Sequence, residues 1–357
     1  MREYTAFLQQ IWDNKWLTNN GPFHREFETR LAEYLGVPYV SLFSNGTLAL
    51  MVALKALDIQ GEVITTPYTF VATAHSLLWN NITPVFADVD PVYGNLDVQA
   101  VEKMITDKTT AIMPVHVYGN PVDVEGFEKL AKKYNLKIIY DAAHAFGVKK
   151  NGESILNYGD LSILSFHATK TFNTVEGGAI ISPDLQTKQQ IDYLKNFGFK
   201  DETSVIATGI NAKMNEFMAA FGLLQLNRID EGIAKRKALA GEYKNLLQNT
   251  AGIRFLDDMK NVRHNYSYFP VFIEEEYPLT RDELYEKLKA NGIYGRRYFY
   301  PLVSEFPMYK DLPSANPANL PNATELAENV ICLPMYEDLK NADIKKIAKI
   351  ISDENQA

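Results

Sequence analysis

Between residues 40 and 185, short apolar runs alternate with segments of helical periodicity. The runs 37–43, 63–65, 83–87, 109–117, 136–140, 161–165 and 179–181 read as strands. Helices are predicted over 47–57, 68–80, 97–106 and 123–134, and the first is apolar on nearly every side, as a buried helix is. Such alternation predicts an α/β fold whose mostly parallel sheet is covered on both faces. In sheets of this kind ligands bind outside the carboxyl ends of the strands.

The texture changes after residue 212. An Ala/Met/Leu-rich helix is expected over 214–226 and a longer charged helix over 228–248. An aromatic strand over 266–273 follows. Then come a helix over 281–290, opened by the capping box Thr280-x-x-Glu283, the segments 298–302 and 330–333, and a terminal helix over 341–352. The Pro/Asn-rich stretch 311–322 reads as a surface loop. The pattern implies a large domain over 1–230, with an N-terminal helical arm, and a small α+β domain over 231–357.

At 357 residues the chain suits such a pair of domains. Its net charge of −8 is spread along the sequence without a Lys/Arg block, which argues against nucleic acid as a partner. The first residues lack the charged-then-apolar order of a signal peptide, and no apolar run approaches the ~20 residues of a membrane span. The lone cysteine, Cys332, lies in an apolar run and suits a core position in the reducing cytoplasm.

The candidate chemistry falls at strand ends. Ser165-Phe166-His167-Ala168-Thr169-Lys170 places a lysine just past one apolar run, before the turn at Gly177-Gly178. Ile138-Ile139-Tyr140-Asp141 delivers a carboxylate at the end of another. An amine that can form a Schiff base and a carboxylate that can pair with a pyridinium nitrogen are what pyridoxal 5'-phosphate requires. A surface lysine and a turn-capping aspartate are the plainer readings of the same residues. Asn45-Gly46-Thr47 opens the buried helix, where backbone N–H groups and the helix dipole favour a phosphate, and Ser165 can add a hydroxyl. Phe70 can stack on a flat ring or belong to the core. His116, His144 and His167 lack zinc-ligand spacing, and no metal is expected. His144, three residues after Asp141, can touch the cofactor ring.

These motifs resemble the sugar-nucleotide aminotransferases of the DegT/DnrJ/EryC1/StrS group. The resemblance covers the whole chain. It rests on Trp16-Leu17-Thr18-Asn19-Asn20-Gly21-Pro22, Asn45-Gly46-Thr47-Leu48-Ala49-Leu50, Pro67-Tyr68-Thr69-Phe70-Val71-Ala72-Thr73, Asp141-Ala142-Ala143-His144-Ala145 and the Lys170 segment. It implies a fold-type I pyridoxal-phosphate transferase with a large, mostly parallel seven-stranded sheet, one strand of it antiparallel, and a smaller C-terminal domain. Lys170 would be catalytic. Gly46, Thr47, Phe70, Asp141, His144 and Ser165 would hold the cofactor. Asn211, in Gly209-Ile210-Asn211-Ala212-Lys213-Met214-Asn215-Glu216, would reach the phosphate in the neighbouring subunit of a homodimer with shared active sites. L-Glutamate would donate the amino group to a nucleotide-linked keto sugar in deoxyamino-sugar and polysaccharide biosynthesis. His167, Glu176, Arg297, Tyr298 and Tyr300 are the expected substrate contacts, and Arg296 is a second candidate for the diphosphate. Many relatives carry a histidine where this chain reads Arg297-Tyr298-Phe299-Tyr300-Pro301-Leu302. The Lys170–Gly178 stretch most resembles the branch that makes dTDP-4-amino-4,6-dideoxyglucose, and relatives acting at carbon 3 have similar segments. A sugar dehydratase of this fold would carry histidine at Lys170. A non-catalytic regulator would have lost Lys170 or Asp141.

Overall fold

The computed structural model describes residues 2–356. Two N-terminal helices, α1 (Arg2–Asn14) and α2 (Pro22–Leu35), precede the large sheet. Its strands are β1 (Tyr39–Phe43), β2 (Glu62–Thr65), β3 (Thr83–Phe86), β4 (Thr109–Met113), β5 (Lys137–Asp141), β6 (Leu161–Ser165) and β7 (Gly178–Ser182), in the spatial order β1-β7-β6-β5-β4-β2-β3. All the pairings are parallel except those of β7, which runs antiparallel to both β1 and β6. The carboxyl ends of six strands and the start of β7 therefore meet along one edge.

Helices α3 (Gly46–Ala56), α4 (Ala72–Trp79), α5 (Val98–Met104), α6 (Val124–Tyr134), α7 (Leu185–Leu194) and α8 (Glu216–Leu226) cover the sheet. The apolar α3 buries Ala49, Leu50, Val52, Ala53, Leu54 and Ala56, which explains why it lacks a polar face. The helix expected from residue 68 starts only at Ala72. Tyr68 is instead drawn into the core, its N–H donating to the Thr66 hydroxyl at 3.0 Å. The strand expected over 109–117 stops at Met113, because Pro114 has no N–H to continue the ladder.

The long α9 (Ile229–Leu247) leads to a three-stranded antiparallel sheet of β8 (Ile253–Phe255), β9 (Phe269–Ile273) and β10 (Val330–Leu333), with β9 central. Helices α10 (Arg281–Ala290), α11 (Pro321–Asn329) and α12 (Asn341–Ser352) pack around it. The capping box at α10 is present in both directions. The stretch expected as a plain surface loop, 311–322, folds instead into two 3-10 turns and the start of α11, with Leu320 buried. The Ser314 hydroxyl accepts the Phe86 N–H at 3.1 Å, so this segment covers the open edge at β3. The expected domain boundary at 230/231 falls in the first turn of α9. Among the described residues no helix is long and apolar enough to cross a membrane.

Candidate active site

A cavity of about 300 Å³ opens at the carboxyl edge of the large sheet. One end of it is the start of α3. Asn45 caps that helix by accepting the Leu48 N–H at 2.9 Å. The N–H groups of Gly46 and Thr47, in the first turn, have no intrahelical acceptor and face an anion-sized space. Ser165, the last residue of β6, adds its hydroxyl there. The antiparallel course of β7 makes this cradle possible, because Gly178 pairs with both Phe43 and Ser165. A Cβ on Gly178 would meet the backbone of Asn45 and Gly46 at 2.8 Å, so only glycine leaves the turn its place.

Asp141 ends β5 and is buried. Its carboxylate accepts the Thr73 hydroxyl at 2.7 Å and the Ala143 N–H at 3.1 Å. Burial raises its pKa, against the lowering effects of those two hydrogen bonds and of Lys170. The turn-capping reading is thus part of the answer, since one oxygen does hold the following turn. Among the described residues no cation forms an ion pair with Asp141.

Lys170 lies five residues past β6, its backbone N–H closing a turn onto the His167 carbonyl at 2.8 Å. Its side chain lines the cavity, with Nζ 5.9 Å from the Tyr268 ring centroid. Burial lowers its pKa to about 8, opposed by the attraction of Asp141. A substantial neutral fraction of the amine is therefore available near neutral pH.

His144 is buried on the cavity wall between Phe299, stacked at 5.7 Å, and the edge of Tyr268. Its Nδ1 accepts the Tyr118 N–H at 3.2 Å. Burial first, then Lys170 and His116, hold its pKa well below the usual histidine range. Phe70 stands at the mouth, 54% exposed, in the loop before α4. An aromatic ring left this open beside a polar cavity has a free face for a flat ligand.

His167, Glu176 and Tyr298 also line the cavity, and His167 Nε2 lies 3.8 Å from Glu176 Oε1. Two expected substrate contacts do not reach it. Arg297 is held away by Asp282 at 2.8 Å and by the Tyr285 ring at 4.5 Å. Tyr300 packs under the Arg281 guanidinium at 4.2 Å. Asn211 is exposed outside the cavity, on a segment bridged to Asn196 and followed by Ala212, whose carbonyl accepts the Ser44 N–H. Arg296, one residue before Arg297, does line the cavity. Thr73, Tyr268 and Phe299 complete the wall. Thr73 was within reach of sequence reasoning, in the first turn of a predicted helix beside Phe70, whereas Tyr268 and Phe299 come from the C-terminal unit.

The donor set fits pyridoxal phosphate end to end: an anion cradle, a buried carboxylate without a cation, a desolvated amine and an open aromatic face. This sheet and this site are those of a pyridoxal-phosphate-dependent aminotransferase. The sequence profile of the DegT/DnrJ/EryC1/StrS aminotransferase family matches residues 2–352, and the chain belongs to that family. It is 52% identical over 352 residues to the dTDP-4-amino-4,6-dideoxy-D-glucose transaminase of Escherichia coli, covering 98% of this chain and 95% of that one. Identity to the enzyme of the same description from Shigella dysenteriae is 48% over 353 residues, covering 99% and 96%. The crystal structure of DesI in the presence of its TDP-sugar product superposes with a TM-score of 0.94 at 36% identity, covering 98% of this chain and 89% of that one.

Proposed function

We propose that the chain moves an amino group from L-glutamate to dTDP-4-keto-6-deoxy-D-glucose, giving dTDP-4-amino-4,6-dideoxy-D-glucose. The observation that carries this reading is the convergence of Lys170 and Asp141, from neighbouring strands, on one cavity with an anion cradle at its end. The identity to the Escherichia coli transaminase supports the choice of sugar.

Pyridoxal phosphate, when bound, supplies the carbonyl that takes up the amino group and a ring that withdraws electrons from the reacting carbon. Gly46, Thr47 and Ser165 would hold its phosphate, and Asp141 would keep its ring nitrogen protonated. The Asp141 carboxylate, strained toward neutrality by burial, gains most from such a cation. Phe70 would cover the ring, and His144 would donate to it from Nε2. Lys170 would be the catalytic residue: its amine would anchor the cofactor and move the proton between the cofactor and sugar carbons.

Arg296 replaces Arg297 as the cationic contact. Its guanidinium lines the mouth without a carboxylate partner among the described residues, while Arg297 is committed to Asp282. Asn211 would serve the site of a second copy of the chain, making a homodimer with shared active sites. A reducing cytoplasm suits the buried thiol of Cys332.

The test is a panel of 3-keto and 4-keto dTDP, UDP and GDP sugars with glutamate and pyridoxal phosphate, read by product mass. Borohydride reduction of the loaded protein should place the pyridoxyl label on Lys170. Label elsewhere, or amination of the 3-keto sugar alone, would overturn the reading. Mixing Lys170→Ala and Asn211→Ala subunits should restore part of the activity in verified heterodimers, and no recovery would refute the shared site.

A further inference from the structure

The loop after β4 carries Tyr118 in a left-handed conformation (φ 56°, ψ 10°), followed by Gly119 at φ 92°. A left-handed tyrosine is strained and persists only where its surroundings fix it. The surroundings here fix every polar group of the residue. Its N–H donates to His144 Nδ1 at 3.2 Å, and its carbonyl accepts the Ser267 hydroxyl at 2.6 Å. Its hydroxyl donates to the Tyr298 carbonyl and shares a hydrogen bond with the Tyr68 hydroxyl at 2.6 Å. Its ring stacks on Phe299 at 6.0 Å and 7°, and Phe299 stacks in turn on His144 at 5.7 Å and 6°.

We propose that Tyr118 is a positioning residue that sets the tautomer of His144 and joins it to the Tyr298–Phe299 wall. An imidazole nitrogen that accepts a backbone N–H is the unprotonated one, so the proton of neutral His144 resides on Nε2. The ring then presents a donor, not an acceptor, to the cavity. Through its hydroxyl, Tyr118 also holds the peptide carrying Phe299, the ring that fixes the His144 plane. Residues from the large sheet and from the C-terminal unit are thus aligned on one side chain. Gly119 is required for this approach, since a Cβ there would meet Asn265 Oδ1 at 2.7 Å and the His144 carbonyl at 2.9 Å.

This inference rests on the proposed role of the cavity, and its test separates the two. Pyridoxal phosphate is titrated into apoprotein of the parent, Tyr118→Phe, Tyr68→Phe, Phe299→Leu and the Tyr118→Phe/Phe299→Leu double variant. Affinity and the visible circular dichroism of the bound cofactor are recorded. Tyr118→Phe should weaken binding by about tenfold, the scale of one buried hydrogen bond, and reduce the visible dichroism. Tyr68→Phe, which removes the longer contact to the Tyr298 carbonyl at 3.3 Å but leaves the bond from Tyr118 in place, should change both by less than about threefold. The double variant should be no weaker than the worse single one, because both act through the same ring. Should Tyr118→Phe not fold, Ser267→Ala frees the other end of Tyr118 and should move both readouts in the same direction. Parental affinity and dichroism in Tyr118→Phe, equal effects of Tyr68→Phe, or additivity in the double variant would overturn the role of Tyr118. A parent protein that takes no label on Lys170 would instead overturn the function proposed above.

Discussion

The charges of the cavity and those beside β1 are both sheltered from water, and they behave in opposite ways. In the cavity, Lys170 and Asp141 feel each other's field but form no ion pair, and burial moves both toward neutrality. Beside β1, Lys195 is as deeply placed, its side chain 7% exposed, yet it contacts Asp192 at 2.8 Å and Glu28 at 3.2 Å. Lys188 closes the same network at 3.0 Å from Glu28 and 2.8 Å from Asp192. There the partners outweigh burial: the Lys195 pKa rises and those of Glu28 and Asp192 fall. Burial alone does not make a lysine reactive. Burial without a contacting carboxylate does, and the missing partner is what a cofactor can supply.

The comparison breaks most sharply at the two lysines. Lys170→Ala should lower amino transfer by about 10⁴-fold or more while leaving the protein folded and no less stable than the parent, because it removes the anchoring amine and the proton carrier together. A variant that still transfers at the parental rate would sink the assignment. Lys195→Met should do the reverse. It leaves the half-buried Glu28 and Asp192 with Lys188 but without their most deeply placed partner, and should cost about 1–3 kcal/mol in denaturant unfolding, with the pyridoxyl label still on Lys170. Unchanged stability would show the network to be ornamental.

The pH dependence sharpens the contrast. Lys170 has a folded pKa near 8 against an ordinary 10.5, so between those values the unfolded chain binds more protons than the native one. The penalty it imposes is full below pH 8 and fades as pH rises toward 10.5. Lys195 is raised, so its contribution is present below the ordinary 10.5 and is lost as pH climbs through its higher folded value. Cofactor loading of the apoprotein, followed by absorbance, should speed up about tenfold per pH unit up to about 8 and then level off. Loading that keeps rising to pH 10 would mean an ordinary amine.

The smallest effect separates neighbouring arginines. Arg296→Ala should raise KM by about tenfold with little change in kcat, whereas Arg297→Ala, which loses only an exposed pair with Asp282, should leave KM within about twofold. Equal KM effects would return Arg297 to the substrate.

Most of this site was legible because the chemistry lies on strand ends, and strand ends are marked by apolar runs. That logic alone brings Lys170, Asp141, Ser165 and Gly46 to one edge of the sheet. The reversal of β7 was not legible, since alternation of strands and helices reads alike for either direction. It came only from the family resemblance, and its reason is the room that Gly178 leaves for the Asn45 turn. Arg297 and Tyr300 were misplaced because one residue of register decides which side of an irregular segment faces the cavity, and 298–302 forms no strand to set that register. The left-handed Tyr118 carries no sequence signal, because tyrosine is a poor predictor of such a backbone.

Helix α9 plants Ile229 and Ile233 in the core of the large sheet and Leu239, Tyr243 and Leu247 in the core of the small one. A continuous rod shared by both interiors ties the two together, so the stack of Phe299 on His144 and the approach of Tyr268 to Lys170 inherit their alignment from one helix.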